Sequence, residues 1–537
     1  MEETTFKRPK SFTTYGTAKN GATMKIVLTE NESRICDLLQ KVSDYIAVKR
    51  PDLPRIESRI AGGWVRDKLL GKECNDLDIA LNSIMGFEFA TYCNNYLKEH
   101  GLTTRTISKI DSNPAKSKHL ETATTKLFDQ EIDFCNLRTE VYTEDSRIPA
   151  EITFGTPAED AYRRDTTINS LFYNINTDSV EDFTNQGLSD LSQGLIRTPL
   201  APYETFRDDP LRVLRCIRFA GRFGFAMVPE LSEAAKDATI KDALINKISR
   251  ERIGTEVDKM LSGPSPFLSL QLIHQYGLYP TVFTSPSGVP LSQPPEDASQ
   301  AVSAVGAVQW LLQETTSPLR TTANKEERRN LYLAAALLPY LSVMSEVKNR
   351  PIHAVQLVLR DSLKAPNHDV NTVSTLFRGV PLFQQAVQRL DQQHTISRSE
   401  LGLLIRDIGA LWQPCLKLAL VQDLLQQPVA WALPDTLDTH LEAASVLLAR
   451  YERLLDQAYQ YDIQEAHTWR PMIDVREEDD TAAWTEAWTC SAAVIEGDDG
   501  LAAGTSRRNR GRMCRYDEAV LGGKQWKSSI KNHHPFS

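Results

Sequence analysis

Two carboxylates one residue apart, Asp76 and Asp78, close the stretch AGGWVRDKLLGKECNDLDIA (61–80), which a glycine pair, Gly62 and Gly63, opens. The second half of the stretch reads as a β-strand. Side chains alternate in a strand, so Asp76 and Asp78 face the same way. Two carboxylates on one face repel each other unless a cation lies between them. Two Mg²⁺ ions held there suit activation of an attacking hydroxyl and stabilisation of a leaving pyrophosphate. Gly62 and Gly63 let backbone N–H groups approach phosphate oxygens, and Arg66 adds charge at the start of the following helix. The chemistry expected is nucleotidyl transfer from a nucleoside triphosphate. Asp-x-Asp alone is common, and by itself reads equally as a surface turn with two solvated carboxylates. The Gly-Gly-x-x-Arg-Asp upstream gives it weight.

Three further groups fit the same chemistry. EIDF (131–134) supplies a carboxylate in another β-type run. Glu131 and Asp133 share a face by alternation; either suits a third metal ligand, with Asp133 favoured, and an exposed strand carboxylate is the plainer reading. RRDTTINSLFYNI (163–175) sets two arginines beside an aspartate before an apolar run. Arg164 suits triphosphate oxygens in the fork geometry of a guanidinium, and Asp165 and Asn169 suit a ribose or the ordering of the loop. Taken alone, the cluster reads equally as a charged helix start with Asp165 as a cap. In DDPLRVLRCIRFAGRFGF (208–225), Arg212, Arg215 and Arg218 recur every three residues and form a stripe on a helix, with Asp209 one turn ahead. A carboxylate accepts from an exocyclic amino group and a guanidinium donates to a ring nitrogen or carbonyl. Cytosine and adenine both offer an amino group next to an acceptor, whereas guanine and uracil present the opposite pattern. An Asp209–Arg212 pair therefore suits selection of C and A without a nucleic-acid template. A salt bridge within a solvated helix explains the same spacing.

The elements that must position these groups are legible in outline. A chain of 537 residues exceeds one compact core, so several domains are expected. A net charge of -9 argues against a uniformly basic nucleic-acid binder but not against a local basic groove. Eight cysteines without a CxxC pair read as reduced thiols in an intracellular compartment, with neither a zinc site nor a disulfide frame. No apolar run reaches the roughly 18 residues of a membrane span. Residues 1–24 read as disordered. Their Ser, Thr and Lys suit a mitochondrial transit peptide, but the Met-Glu-Glu start opposes it, since such peptides are poor in acid; Met24 offers a second start.

Residues 25–48 show helical spacing, with Ile35, Leu38, Leu39, Val42 and Ile46 on one side. Over 59–180, β-type runs (RIAGGWV, DLDIAL, EIDFCNL, SLFYNI) mix with helices, an α/β or α+β head. From about Pro210 strand signals fade. Helical periodicity follows in 211–225, 247–261 and 267–278, then at 301–315, 327–338, 352–362 and 399–425, the last capped by Ser397 or Ser399. The segment 284–300 reads as a linker, the loop 103–120 as a polar, basic cover or mobile loop, and 492–525 as disordered. The basic patches 507–512 and 524–531 suit RNA phosphates but read more simply as a solvated tail.

Together these residues resemble the class II CCA-adding enzymes, tRNA nucleotidyltransferases of bacteria and eukaryotes within the polymerase-beta-type superfamily. The resemblance spans about 30–280 and rests on GGWVRD, DLDIA, HLETAT (119–124), EIDF, RRDTTIN, DFTNQGLSDLSQGLIRTP (182–199), DDPLRVLR and KISRERIGTEVDKML (247–261), in this order. The form of HLETATTKLFDQEIDF looks eukaryotic and fungal. The resemblance implies an α+β head with a mixed β-sheet followed by mostly helical parts: head 25–200, neck 201–265, body 266–400, body or tail 401–480 and a divergent C-terminus 481–537. It implies two Mg²⁺ ions on Asp76 and Asp78, triphosphate contacts on Gly63, Arg66 and Arg164, base selection by Asp209 and Arg212, and support from Arg215 and Arg218. The segment 182–199 becomes a hinge between head and neck.

The implied substrates are CTP, ATP and the 3′ end and acceptor/T arm of tRNA, whose 3′-hydroxyl attacks the α-phosphate of CTP twice and then of ATP. A monomer without membrane attachment, in cytoplasm and nucleus with a mitochondrial pool, is expected. Two departures stand out: Asp208-Asp209 replaces the usual Glu-Asp, and TWRPMIDVREEDD (468–480) begins like the family's Pro-x-(Ile/Leu)-x-Gly-Lys segment but loses Gly-Lys. The rivals are a bacterial-type poly(A) polymerase, an enzyme adding only CC or only A, and, in a different class, an inactive RNA-binding scaffold. A scaffold needs none of Asp76, Asp78, Arg164, Asp209 and Arg212.

Overall fold

Thr29 starts the first helix, α1 (Glu30–Lys49), through a capping box: its hydroxyl accepts from Glu32 N, and the Glu32 carboxylate accepts from Thr29 N. The computed structural model describes residues 26–110, 122–143, 146–284, 291, 298–313, 317–347, 350–393, 395–427 and 441–469. Several expectations lie outside the described residues: the N-terminus 1–24, residues 111–120 of the basic loop, most of the linker 284–300, and everything from 470 onward, including the patches 507–512 and 524–531. In α1 the spaced apolar residues Ile35, Leu38, Leu39, Val42 and Ile46 are buried, each worth about 1.5–3 kcal/mol of transfer from water.

The run RIAGGWV reads as β-type throughout, and here the structure differs. β1 (Ser58–Ala61) stops at Gly62, whose backbone adopts φ 66° and ψ -113°, and α2 (Gly63–Leu69) begins at once. Only glycine takes up that conformation without strain, so the run is a strand-to-helix corner. β2 (Leu77–Leu81) contains Asp78, with Asp76 just before it. α3 (Gly86–Glu99), β3 (Ser108–Ile110), β4 (Thr122–Leu127) and β5 (Gln130–Asn136) follow. β6 (Arg138–Thr143) and β7 (Ser146–Phe154) form a separate hairpin. α4 (Pro157–Tyr162), a 3₁₀ turn at Thr167–Asn169, β8 (Phe172–Asn174), β9 (Ser179–Glu181) and α5 (Gly187–Gln193) complete the head.

The head sheet has the order β3-β4-β5-β2-β1-β8-β9 and is mixed, because β2 runs parallel to β5 while its other neighbours pair antiparallel. The register sets Asp78 directly opposite Asp133. Three alanines, Ala61, Ala80 and Ala161, pack with Leu137 and Phe172 in the core beside the strand ends.

Beyond the head the chain is mostly helical, as its periodicity predicts. β10 (Leu195–Ile196) pairs in parallel with β11 (Ala226–Met227), so the segment 182–199 is clasped to the chain beyond α7. Between these strands lie α6 (Pro202–Asp208) and α7 (Leu211–Phe223); α8 (Pro229–Lys236), α9 (Ala238–Lys247), α10 (Arg250–Leu261) and α11 (Pro266–Gln275) follow. α7 packs against both α10 and α11. The stripe at Arg212, Arg215 and Arg218 is only partly solvated: Arg212 is 8% exposed.

Two compact units divide the chain, Met1–Phe377 with Leu424–Leu441, and Arg378–Asp423 with Glu442–Ser537. In the first, the helical pattern expected at 352–362 is a short α-helix, Ala354–Leu357, continued by a π-helical turn, Val358–Ser362. A helix of 27 residues, Asn367–Gln393, carries the boundary between the units after Phe377 and has no counterpart in the sequence reading; Pro381 inside it masks the period. In the second unit, Ser397 is the cap, and the pattern expected over 399–425 is two helices, Arg398–Ile408 and Trp412–Leu424, parted at Gly409 with φ 82°. Among the described residues no helix is long and apolar enough to cross a membrane.

Candidate active site

A cavity of about 870 Å³ opens in the first unit, and Gly62, Gly63, Arg66, Asp76, Asp78, Arg164, Asp165, Asn169, Asp209, Arg212, Arg215 and Arg218 all line it. The residues singled out from the sequence thus come together, except Asp133 and Glu131, which are not among the lining. Asp133 stands behind Asp78 in register, and its carboxylate accepts from Thr124 Oγ1 at 2.5 Å. Glu131 is exposed and paired in register with Lys126. Of the two, Asp133 is the one that faces Asp78 across the strands.

At one end the glycine corner meets an arginine. A Cβ on Gly62 would stand 2.7 Å from Arg164 Nη1. That same Nη1 donates to Asn169 O at 3.1 Å, and Arg164 Nε and Nη2 donate to Asp160 Oδ2 at 3.0 and 2.8 Å. Asp160 is 1% exposed. Burial alone would raise its pKa, but the Arg164 and Arg163 charges hold it down at about 2. Arg66 is also fixed: Nε donates to Asp67 Oδ1 at 2.8 Å, Nη1 donates to Asn169 Oδ1, and the guanidinium lies over the Phe223 ring. Asp67 in turn accepts from Arg222 Nη2 at 2.9 Å, which ties α2 to the end of α7.

Asp165 is no helix cap. It is buried, and its carboxylate accepts from Asn169 Nδ2 at 2.9 Å and from Arg215 Nε at 2.7 Å. Burial opposes the charge, yet Arg215 outweighs it and holds the carboxyl well below the usual range. Arg218 Nε donates to the buried Glu256 at 2.5 Å. Arg212 donates to the main-chain oxygens of Arg163 (2.7 Å) and Thr205 (3.4 Å). The Asp209 carboxylate accepts from Arg252 Nη2 at 2.8 Å and Nη1 at 3.3 Å. Asp209 and Arg212 line one cavity but are held by different elements.

The donor chemistry around Asp78 fits divalent cations. Its pKa is raised to about 6, first by burial, then by the Asp76 and Asp133 charges, against the pull of Arg164. A carboxylate group that cannot comfortably hold its own charge has room for a cation. Among the described residues, the three-residue group whose ligand atoms come within 4.8 Å of one another is a different one, Glu326, His368 and Asp369, where Asp369 already pairs with Arg329.

Several lining residues escaped the sequence reading: Arg138, Glu140, Arg163, Phe219, Arg222 and Arg252. Arg163 and Arg252 stand inside motifs that were recognised, RRDTTIN and KISRERIGTEVDKML, so their neighbourhood was a signal. Arg222 continues the α7 stripe after Arg218, one turn on. Arg138 follows EIDF closely but carries no pattern of its own.

Known proteins place this architecture. Residues 58–197 match the family described as the poly(A) polymerase head domain, and 224–287 match one described as a probable RNA- and SrmB-binding site of polymerase A. The "CCA tRNA nucleotidyltransferase, mitochondrial" of Saccharomyces cerevisiae is 37% identical, over 84% of this chain and 86% of its own. The "tRNA nucleotidyltransferase cca2" of Schizosaccharomyces pombe is 35% identical, over 84% and 90%. In fold, the Thermotoga maritima CCA-adding enzyme solved with tRNA superposes with a TM-score of 0.54 at 18% identity, covering 88% of this chain and 93% of that one. With a polymerase-beta-type head, a mostly helical remainder and relatives of this identity along most of its length, the chain belongs to the tRNA nucleotidyltransferase and poly(A) polymerase family.

Proposed function

We propose that this protein adds the 3′-terminal CCA sequence to tRNA from CTP and ATP, without a nucleic-acid template and with release of pyrophosphate. The observation that carries this reading is that one cavity joins a carboxylate pair, Asp76 and Asp78, to a base-reading set, Asp209 and Arg212. A templated polymerase has no need of the second group beside the first.

The chain's residues divide the work. Gly62 and Gly63 present backbone N–H groups to the triphosphate, and Arg66 and Arg164, both already oriented by Asn169, neutralise its charge. Asp165 and Asn169 hold the ribose side. Asp209 accepts from the amino group of C or A while Arg212, aligned by two carbonyls, donates to the neighbouring ring atom. Arg215 and Arg218, fixed by Asp165 and Glu256, support the nucleotide. Asp76 and Asp78, with Asp133 opposite, would hold two Mg²⁺ ions, which supply activation of the RNA 3′-hydroxyl and stabilisation of the leaving pyrophosphate. The head (25–200), neck (201–265), body (266–400) and body or tail (401–480) divide these tasks, the neck and beyond following the acceptor/T arm of tRNA. The protein acts as a monomer in cytoplasm and nucleus with a mitochondrial pool; a relative named as mitochondrial supports the last of these alone.

The test supplies Mg²⁺ and tRNA lacking its 3′ CCA with CTP, ATP, both, or GTP and UTP. Two C additions followed by one A are expected. Long A tails point to the second reading, poly(A) synthesis, which the description of the matched head family favours. Addition of CC only or A only narrows the activity. No incorporation leaves an RNA-binding scaffold. Asp76→Ala should abolish transfer while tRNA binding survives.

A further inference from the structure

Among the described residues that line the cavity, Phe219 is the one aromatic side chain, and it has no part in the roles above. It directly follows Arg218 on α7 and is 4% exposed. Three guanidinium groups lie over its ring: Arg218 at 4.2 Å from the centroid, Arg66 at 5.4 Å and Arg215 at 5.7 Å. All three fall within the roughly 6 Å at which the negative face of an aromatic ring attracts a cation. A nucleobase stacks only on an open ring face. With its ring so covered, Phe219 offers no such platform. Core packing accounts for its burial but not for the company of three cations.

The cations come from two elements, Arg66 from α2 and Arg215 and Arg218 from α7. Each is also held by a carboxylate: Arg66 by Asp67, Arg215 by Asp165 and Arg218 by Glu256. Glu256 reaches both α7 arginines, standing 3.8 Å from Arg215 Nη1, but Asp67 is the partner of Arg66. Phe219 is the contact common to all three. Like charges gathered at one place repel. A ring face offsets part of that repulsion, and unlike a carboxylate it uses up no N–H donors, which stay available to an anion. Arg66 Nη2 stands 3.5 Å from the position a Cβ on Gly63 would take, so the array reaches the glycine corner.

We propose that Phe219 is a positioning residue for nucleotide binding: its ring gathers Arg66, Arg215 and Arg218 into one array, so that the triphosphate arginine of α2 and the supporting arginines of α7 meet the nucleotide together. This rests on the nucleotide-binding roles proposed above for those arginines. The ring itself touches no substrate and acts through the cations.

The experiment uses the full chain. Nonsense suppression replaces Phe219 with phenylalanine bearing one, two or three ring fluorines, and Phe219→Leu removes the ring. Fluorine withdraws charge from the ring face while scarcely changing its size, so core packing is kept and the pull on cations is not. Calorimetry gives Kd for CTP and for inorganic tripolyphosphate, and a melting curve is taken for each protein. Both Kd values should rise step by step with each fluorine, to about tenfold at three, the scale of a desolvated cation–π contact. The melting temperature should stay within about 2 °C across the series. Phe219→Leu should weaken CTP binding at least as much as three fluorines do; if it does not fold, the fluorinated series decides alone. Kd values that stay flat across the series overturn the proposal and leave the ring to core packing. So does a melting temperature that falls with each fluorine while Kd holds. A rise for CTP with tripolyphosphate unchanged takes Arg66 out of the array and overturns it too. If wild type binds neither CTP nor tripolyphosphate, the nucleotide-binding reading fails and takes this proposal with it; tight binding by wild type with a flat series sinks the role of Phe219 alone.

Discussion

Asp209 is gripped by Arg252: its two terminal guanidinium nitrogens donate to the two carboxylate oxygens at 2.8 and 3.3 Å. This carboxylate sits just before α7, and its clamp comes from α10. In the proposed function Asp209 reads the base, and Arg252 would then fix the direction in which it offers its remaining lone pairs. Arg252→Gln should therefore lower the preference for CTP over UTP by about 10- to 100-fold in kcat/KM, the range of a lost bidentate contact. Asp209→Ala should relax it as far, and the double variant no further, because the two act as one unit. Additive losses in the double variant would separate Arg252 from base choice.

This relationship also marks where the sequence stops being legible. The glycine pair, Asp76 and Asp78, and the α7 stripe are local patterns, and their periodicity alone sets which way they face. Arg252 is 43 positions from Asp209, and Arg222 is 155 from Asp67. Nothing in either motif states that the other exists; the contacts follow from α10 packing on α7, and α7 reaching α2. The strand-to-helix break at Gly62 was hidden because flanking apolar residues fit a strand as well as a helix start. The long helix Asn367–Gln393 was hidden by Pro381, a residue that ordinarily ends one.

Asp78 gives a pH signature for the proposed metal site. Its folded pKa, about 6, lies above the ordinary carboxylate value. A raised acid is penalised once it ionises, so the metal-free fold loses stability as pH rises from about 4 through about 6. A divalent cation should remove that loss. Melting temperatures in EDTA should fall across this window, recover with Mg²⁺, and become flat there in Asp78→Asn. A metal-free profile equally steep in Asp78→Asn would move the effect to other groups.

Asp160 carries the opposite sign. Although burial works against its charge, Arg164 and Arg163 depress its pKa to about 2. Its stabilisation is complete above the unfolded value near 4 and is lost as pH falls toward about 2. Asp160→Asn should cost about 3–5 kcal/mol near neutral pH, since it leaves two arginines sharing a neutral partner in a buried site. Because Arg164 is aimed through Asp160, KM for CTP should also rise. Urea denaturation together with initial-rate kinetics measures both, and an unchanged midpoint would remove Asp160 from the support of Arg164.

The two glycines of the opening pair should differ in what they tolerate. A Cβ at Gly62 meets Arg164 Nη1 at 2.7 Å, and its φ of 66° strains any other residue. At Gly63 the nearest contact is Arg66 Nη2 at 3.5 Å, an ordinary van der Waals distance. Gly62→Ala must displace the Arg164 guanidinium, proposed above to face the triphosphate, on top of backbone strain of about 1–3 kcal/mol. Its kcat/KM for CTP should fall about 100-fold. Gly63→Ala adds a methyl group without moving Arg66, so its loss should stay within about tenfold, unless that methyl crowds an incoming phosphate. Steady-state kinetics with both CTP and tRNA varied separates these cases. A Gly63→Ala variant as impaired as Gly62→Ala, with its KM for CTP raised, places the triphosphate against the Gly63 backbone itself. Equal activity in Gly62→Ala and wild type would remove Arg164 from the triphosphate cradle.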